Sequence, residues 1–310
     1  MSRYLADRRL QVVPGDGACD LLCKVPPRYS LSELTGELTQ VVHRLGGQAE
    51  KLEEGSDPHG AWWVDLRLSR EGESCRLRLI AVQAFDQAGA IVLVIDDFGY
   101  QSRDKIEAFL DLPFSFTPAV LPCSPRSAWT VRRSLEKQRR PIMHLPMEPL
   151  DCQRNDPGSG ALLVGMEPVT IKDLVASHLD ELAGVVGVNH HMGSRASAEA
   201  AVIGPALDVI AERGLFYLDS GTSEASVCPL EALRRGVRCL RADLFLDADP
   251  QPTPQTRRDR LREACQLARA NGSALVIAHA RPATLRFLES ADDSVSAWGC
   301  RIVPIDTLLR

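Results

Sequence analysis

The sequence predicts an α/β protein whose main domain, residues 89–310, is built of parallel strands and crossover helices, with a small α+β unit and linker, residues 1–88, before it. Three observations carry this expectation. From about residue 89 apolar runs of strand length alternate with helical patterns, the rhythm of parallel strands joined by packed helices. Before that point a single helical pattern lies among short alternating segments. Finally, the apolar run Ile91-Val92-Leu93-Val94-Ile95 stops on two adjacent carboxylates, Asp96-Asp97, and later apolar runs also end at Asp or His.

The first unit reads over residues 20–86. Residues 21–25 form a short strand that Pro26-Pro27 ends. Ser30 or Ser32 then caps a helix with Leu34, Leu38, Val41, Val42 and Leu45 on one face, closed by Gly46-Gly47. Strand segments follow at 48–52, 61–68 and 75–82, separated by the turn signals Gly55-Ser56-Asp57-Pro58 and Arg70-Glu71-Gly72-Glu73. Its His43 and His59 are isolated, and Trp62-Trp63 reads as one buried and one exposed strand residue rather than a sugar platform. Asp86-Gln87-Ala88-Gly89 is the expected linker.

In the main domain the expected strands are 91–95, 114–120, 141–145, 185–189, 215–218, 237–240, 274–278 and 301–304. Helical patterns occupy 103–110, 128–138, 170–182, 198–212 and 254–270. This order fits either an open doubly wound sheet or a closed (β/α) barrel.

Composition narrows the function. The chain has 310 residues, 45% of them hydrophobic, enough for a substantial core. A net charge of -5 without a basic stripe interleaved with aromatics argues against nucleic acid as a partner. Short basic clusters such as Arg132-Arg133 read as solvated helix faces. No apolar stretch is long enough to span a membrane, and the first residues lack the order of a secretory signal. The nine cysteines are scattered, form no CxxC pair and read mostly as small buried hydrophobes, an inventory suited to a reducing compartment. The oligomeric state leaves no trace in the sequence.

In a (β/α) barrel, catalytic groups collect where the strands' C-terminal ends open onto one face. Asp96-Asp97, His144, His191, Asp219 and His279 each stand at or just after such an end. Two histidines and one carboxylate around an open position make a hydrolytic metal site of the zinc type, for which Asp97, His144 and His191 suffice. Asp96 beside it is then suited to take a proton and His279 to donate one. Gly99, Gly187 and Gly193 read as backbone accommodation at turns.

The segments Val94-Ile95-Asp96-Asp97-Phe98-Gly99, Met143-His144-Leu145-Pro146-Met147-Glu148-Pro149, Gly187-Val188-Asn189-His190-His191-Met192-Gly193-Ser194-Arg195, Phe216-Tyr217-Leu218-Asp219-Ser220 and Ile277-Ala278-His279-Ala280-Arg281-Pro282 resemble those of the divergent polysaccharide deacetylase family, a branch of the NodB-like carbohydrate esterases. The likeness runs from about residue 90 to the end of the chain. It implies a distorted (β/α) barrel and a divalent metal, most simply Zn2+, used to remove acetyl groups from an N-acetylated or O-acetylated carbohydrate.

Carried over residue by residue, the resemblance makes Asp96 the base, Asp97 a metal ligand and His279 the acid, with Asp219 and Arg195 as further catalytic residues. The parent pattern takes two ligands from histidines four residues apart. Here Gly187 and Arg195 flank His191 at that spacing, so His144, or less well Glu148, replaces one of them. Of His190 and His191 only one should face the metal, since neighbours in an extended segment point to opposite sides; His191 is the choice. Arg195 reads as an oxyanion group or an ion-pair partner of Asp96. Gly221 stands where many relatives carry arginine. A periplasmic or cell-envelope location is implied by the family, and a non-catalytic envelope module that binds glycan or protein while retaining the barrel and metal is the alternative reading.

Overall fold

The computed structural model describes residues 1, 4–5, 8, 10–15, 19–27, 29–57, 60–82, 88–248 and 252–309. His59 and the linker residues Asp86 and Gln87 lie outside the described residues. The chain divides into two compact units, the first taking Met1–Gln87 with Arg269–Gly272, the second Ala88–Ala268 and Ser273–Arg310.

The first unit is a five-stranded sheet with one long helix. Strands β1 (Gln11–Pro14), β2 (Leu21–Val25), β3 (Gln48–Ser56), β4 (Trp62–Arg70) and β5 (Glu73–Ala81) lie in the order β1-β2-β5-β4-β3. The pair β2-β5 is parallel and the others are antiparallel. Helix α1 (Leu31–Arg44) begins at Ser30, whose Oγ accepts the Glu33 amide at 3.1 Å while the Glu33 carboxylate accepts the Ser30 amide, the reciprocal pattern that satisfies two amides otherwise left unpaired. Leu34, Leu38, Val41 and Val42 face the core. In β4 Trp62 is exposed, whereas Trp63 is half-buried under the Arg78 guanidinium. Buried Asp65 is held by Arg76 and Arg78, which outweigh the cost of burial and keep its carboxyl below the usual range.

The second unit is a curled, wholly parallel sheet. Its strands are β6 (Gly89–Phe98), β7 (Thr117–Val120), β8 (Ile142–Met147), β9 (Gly187–Met192), β10 (Phe216–Asp219), β11 (Cys239–Arg241), β12 (Leu244–Phe245), β13 (Ser273–His279) and β14 (Cys300–Val303). The order is β11-β10-β9-β8-β7-β6-β13-β12, and β14 pairs with the first half of β6. Among the described residues no ladder joins β11 to β12, so the barrel stays open there. Helices α2 (Arg103–Leu110), α3 (Ser127–Glu136), α4 (Pro168–Glu181), α5 (Ala200–Glu212), α6 (Cys228–Arg234), α7 (Pro254–Asn271), α8 (Pro282–Leu288) and α9 (Ala291–Ala297) connect and cover the strands. Arg133 on α3 pairs with Glu107 and Glu136 on a solvated face, as its basic cluster predicts.

The two faces of this sheet carry different cores. Ile91, Leu93, Ile95, Met143, Leu145, Val188, Tyr217 and Val276 pack with the helices, while Val92, Val94, Ile142, Phe216, Leu218, Leu275 and Ile277 form a second cluster on the concave side. The alternation is the period-two geometry of a strand with both faces buried. Each fully buried side chain of this kind stabilises the fold by roughly 1.5–3 kcal/mol. The short strands β1 and β12 lie outside the strand segments that the sequence predicts.

Candidate metal centre and its surroundings

The concave alternation continues beyond the apolar cluster to Asp96 on β6, His144 on β8, Asn189 and His191 on β9, and His279 on β13. These polar side chains therefore gather where the strands end. Regular alternation would send Asp97 to the opposite side with Leu93 and Ile95. A bulge prevents it: Ile95 pairs with Pro118 and Phe98 with Val120, so Asp96 and Asp97 together stand opposite Ala119 alone. Asp97 has φ 69°, a left-handed conformation that aspartate tolerates better than most residues. Both carboxylates thus reach one face, and the strand continues through the pair instead of stopping before it as the sequence predicts.

Asp97 Oδ1 lies 3.3 Å from His144 Nε2 and 3.1 Å from His191 Nδ1, and the two ring nitrogens are 3.2 Å apart. Bond lengths of about 2.0–2.1 Å at a tetrahedral angle separate ligand atoms by roughly 3.3 Å, so this triangle has the dimensions of three zinc ligands. Asp97 Oδ1 is also buried without a hydrogen-bond partner. A buried acceptor of that kind, facing two imidazole nitrogens, fits a cation. Burial opposes ionisation of Asp97, but the two histidines outweigh it and hold the carboxyl far below the usual carboxylate range.

Asn189 joins this triangle to Asp96. Its Oδ1 is 2.9 Å from His144 Nδ1 and its Nδ2 donates to Asp96 Oδ1 at 2.9 Å. Asp96 Oδ2 is 3.7 Å from His144 Nε2. Burial pushes the Asp96 carboxyl up, against the pull of His144. His279 stands beside Asp96 in register, and the Ala280 amide donates to the Asp96 carbonyl. Asp247, just after β12, accepts His279 Nδ1 at 2.7 Å, the His279 amide and the Thr284 hydroxyl. Burial works against charge on His279, but Asp247 and then Asp97 and Asp96 raise its pKa. Gln101 Nε2 donates to the carbonyls of Asp97 and Ala280, tying the bulge to the end of β13.

Three expectations need correction. Arg195 pairs with Glu148, Nη1 to Oε1 at 2.6 Å, and not with Asp96. Glu148 accordingly stands outside the triangle, accepting Arg195 and the Val164 amide. Asp219 alternates with concave Phe216 and Leu218, so it shares the opposite face with Tyr217 and His190. Its Oδ1 accepts the Gly221 amide, and its Oδ2 is 3.8 Å from Arg241 Nε. A Cβ at Gly221 would lie 3.9 Å from that same nitrogen, so Arg241, level with Asp219 on β11, brings a guanidinium to the neighbourhood where arginine was expected at 221.

His191 and His190 divide as the strand geometry requires. His190 is buried against Tyr217, its Nδ1 2.8 Å from the phenol oxygen. Burial pushes its imidazole down to about 4 despite Asp219. Gly187, where the parent pattern places a histidine, meets the Phe216 ring: a Cβ there would lie 2.5 Å from it. Gly193, with φ 76°, lets the chain turn against His190. Sequence reasoning passed over Asn189, Gln101, Asp247 and Arg241 as separate site residues. Only Asp247, which ends the apolar run Leu244-Phe245-Leu246, carried a signal of the kind used for the others.

Two curated proteins and a solved structure are similar to this chain. An uncharacterized protein of Haemophilus influenzae is 30% identical over 200 residues, covering 64% of this chain and 70% of that one. The uncharacterized protein YibQ of Escherichia coli strain K12 is 31% identical over 211 residues, 68% of this chain and 65% of YibQ. The crystal structure of the uncharacterized protein ATU2773 from Agrobacterium tumefaciens C58 shares the fold, with a TM-score of 0.65 at 22% identity over 73% of this chain and 92% of that one. Residues 93–309, which hold the bulge, the histidines and Asp247, match the divergent polysaccharide deacetylase family, and the chain belongs to that family.

Proposed function

We propose that the protein is a zinc-dependent hydrolase that removes acetyl groups from an N-acetylated, or O-acetylated, carbohydrate. The observation that carries this reading is the Asp97, His144 and His191 triangle, with Asp96 and His279 flanking it in different electrostatic settings. Asp97, His144 and His191 would hold a divalent ion, which would supply Lewis-acid chemistry for the acyl group and a lowered pKa for water.

The residues of the chain do the rest. Asp96 accepts the proton of the attacking water, its carboxyl made more basic by burial. His279, kept protonated by Asp247, donates to the leaving amine as the carbon–nitrogen bond breaks and acetate forms. Asn189 holds Asp96 and His144 in fixed relation, so the base and one ligand cannot drift apart.

The test is acetate release from acetylated chitooligosaccharides and peptidoglycan fragments at saturating zinc. The wild-type chain should release acetate and Asp96→Asn should be slower by about 10²–10⁴-fold. Zinc binding without acetate release from either substrate would instead assign the non-catalytic glycan- or protein-binding role.

A further inference from the structure

We infer a second metal site, separate from the first, formed by Cys123, His178 and Glu181 and suited to a borderline-soft divalent ion such as zinc. Cys123 lies in the turn after β7, and His178 and Glu181 stand one helical turn apart near the end of α4. One ligand atom from each lies within 4.8 Å of the others.

Several independent features aim these atoms at a common point. Cys123 Sγ is 3.7 Å from His178 Nδ1. Bond lengths of about 2.3 Å to sulfur and 2.0–2.1 Å to nitrogen at a tetrahedral angle give roughly 3.6 Å. His178 is 3% exposed and its Nε2 lies 2.9 Å from the Gly160 carbonyl. That carbonyl can only accept, so the Nε2 proton is fixed and the Nδ1 lone pair faces the sulfur, the outer contact that commonly orients a ligating histidine. Gly160 has φ 77°, and a Cβ there would lie 2.7 Å from the imidazole, so the glycine allows this approach.

Cys123 is itself held in a left-handed conformation, φ 56°, with its amide donating to the Glu181 carboxylate at 2.9 Å. A residue other than glycine rarely adopts that backbone. Here it directs the thiol inward onto α4. Cys123 and Glu181 are solvent-exposed, leaving the fourth position open to water. Sulfur, nitrogen and oxygen donors together select zinc over magnesium or calcium. An ion there ties the β7–α3 turn to α4.

Cobalt(II) distinguishes this site from the first, because only a thiolate ligand gives an intense near-ultraviolet sulfur-to-cobalt charge-transfer band. The reduced, chelator-stripped full chain is titrated with cobalt. A band is expected in the wild type and in His191→Ala, lost in Cys123→Ser, with affinity reduced about 10–100-fold in Glu181→Gln. Should Cys123→Ser fail to fold by circular dichroism, His178→Gln is read in its place and should also lose the band. Absence of the band in the wild type at saturating cobalt, or its persistence in a folded Cys123→Ser chain, overturns the site and leaves the Asp97 centre untouched.

Discussion

His144 and Asn189 are directly paired neighbours on adjacent parallel strands, and the Asn189 side-chain oxygen lies 2.9 Å from His144 Nδ1. Because Asn189 Nδ2 donates to Asp96, its Oδ1 is the atom turned to the ring, and His144 Nδ1 must carry the proton. Nε2 is then the nitrogen that faces Asp97 and His191, the one that would give its lone pair to a cation held there. One buried amide therefore sets the tautomer of a ligand and the position of the base.

Replacing Asn189 by alanine should weaken zinc binding about 10–100-fold, measured by competition with a chromophoric chelator. The same change leaves a buried imidazole N–H and a buried carboxylate without partners, at a cost of about 1–3 kcal/mol each in unfolding free energy. Unchanged zinc affinity in a folded Asn189→Ala chain would show that His144 is not oriented through this contact.

Gly187 and Phe216 exclude a different arrangement. A methyl group at 187 would press on the Phe216 ring, so Gly187→Ala should cost about 1–3 kcal/mol in a denaturant titration. Combined with Phe216→Ala the two changes should not add, with a coupling of about 1 kcal/mol or more. Strict additivity would mean that the ring does not occupy this space, and a ligand at 187 would again be sterically open.

How far the sequence reveals this site depends on strand parity. Residues that keep the period of their strand are legible: His144, His191 and His279 follow concave Ile142, Asn189 and Ile277 at the expected spacing. Asp219 fails the same test, since it falls in step with Tyr217 and not with Leu218; counting along the strand alone could have placed it with His190. Asp97 fails in the other direction. Parity sends it outward, and only the bulge with φ 69° brings it in, a backbone feature that side-chain patterning does not encode. The partner of Arg195 was invisible because Glu148 is distant in the chain and reaches it only after β8 and β9 pair.

His190 gives the stability a pH dependence of defined sign. An unfolded histidine titrates near 6.5, whereas burial pushes His190 down to about 4. As pH falls through that window the unfolded chain takes up a proton that the native chain refuses, so the native state loses up to about 3 kcal/mol. Glutamine at 190 removes the titration. The difference in unfolding free energy between wild type and His190→Gln, followed from pH 7 to pH 4, should therefore move by about 3 kcal/mol in favour of the variant. A constant difference would show that His190 is protonated in place.

The His279–Asp247 pair has two opposite edges. His279 is raised above its unfolded value, so its contribution is complete below about pH 6.5 and is lost as pH rises through the raised native value. Asp247 is lowered: burial opposes this, but His279 and the Thr284 hydroxyl outweigh it, so its contribution is complete above about pH 3.8 and is lost as pH falls through the lowered native value. The pair stabilises most between those limits, the range in which His279 holds the proton proposed for the leaving amine. Asp247→Asn should lower the His279 titration midpoint, read from its ring resonances by NMR, and should move the alkaline limb of acetate release to lower pH by the same interval. If the midpoint stayed in place, Asp96 and Asp97 would be what keeps His279 charged, and occupying the neighbouring centre with zinc, which neutralises part of that charge, would then have to lower the midpoint in the wild type.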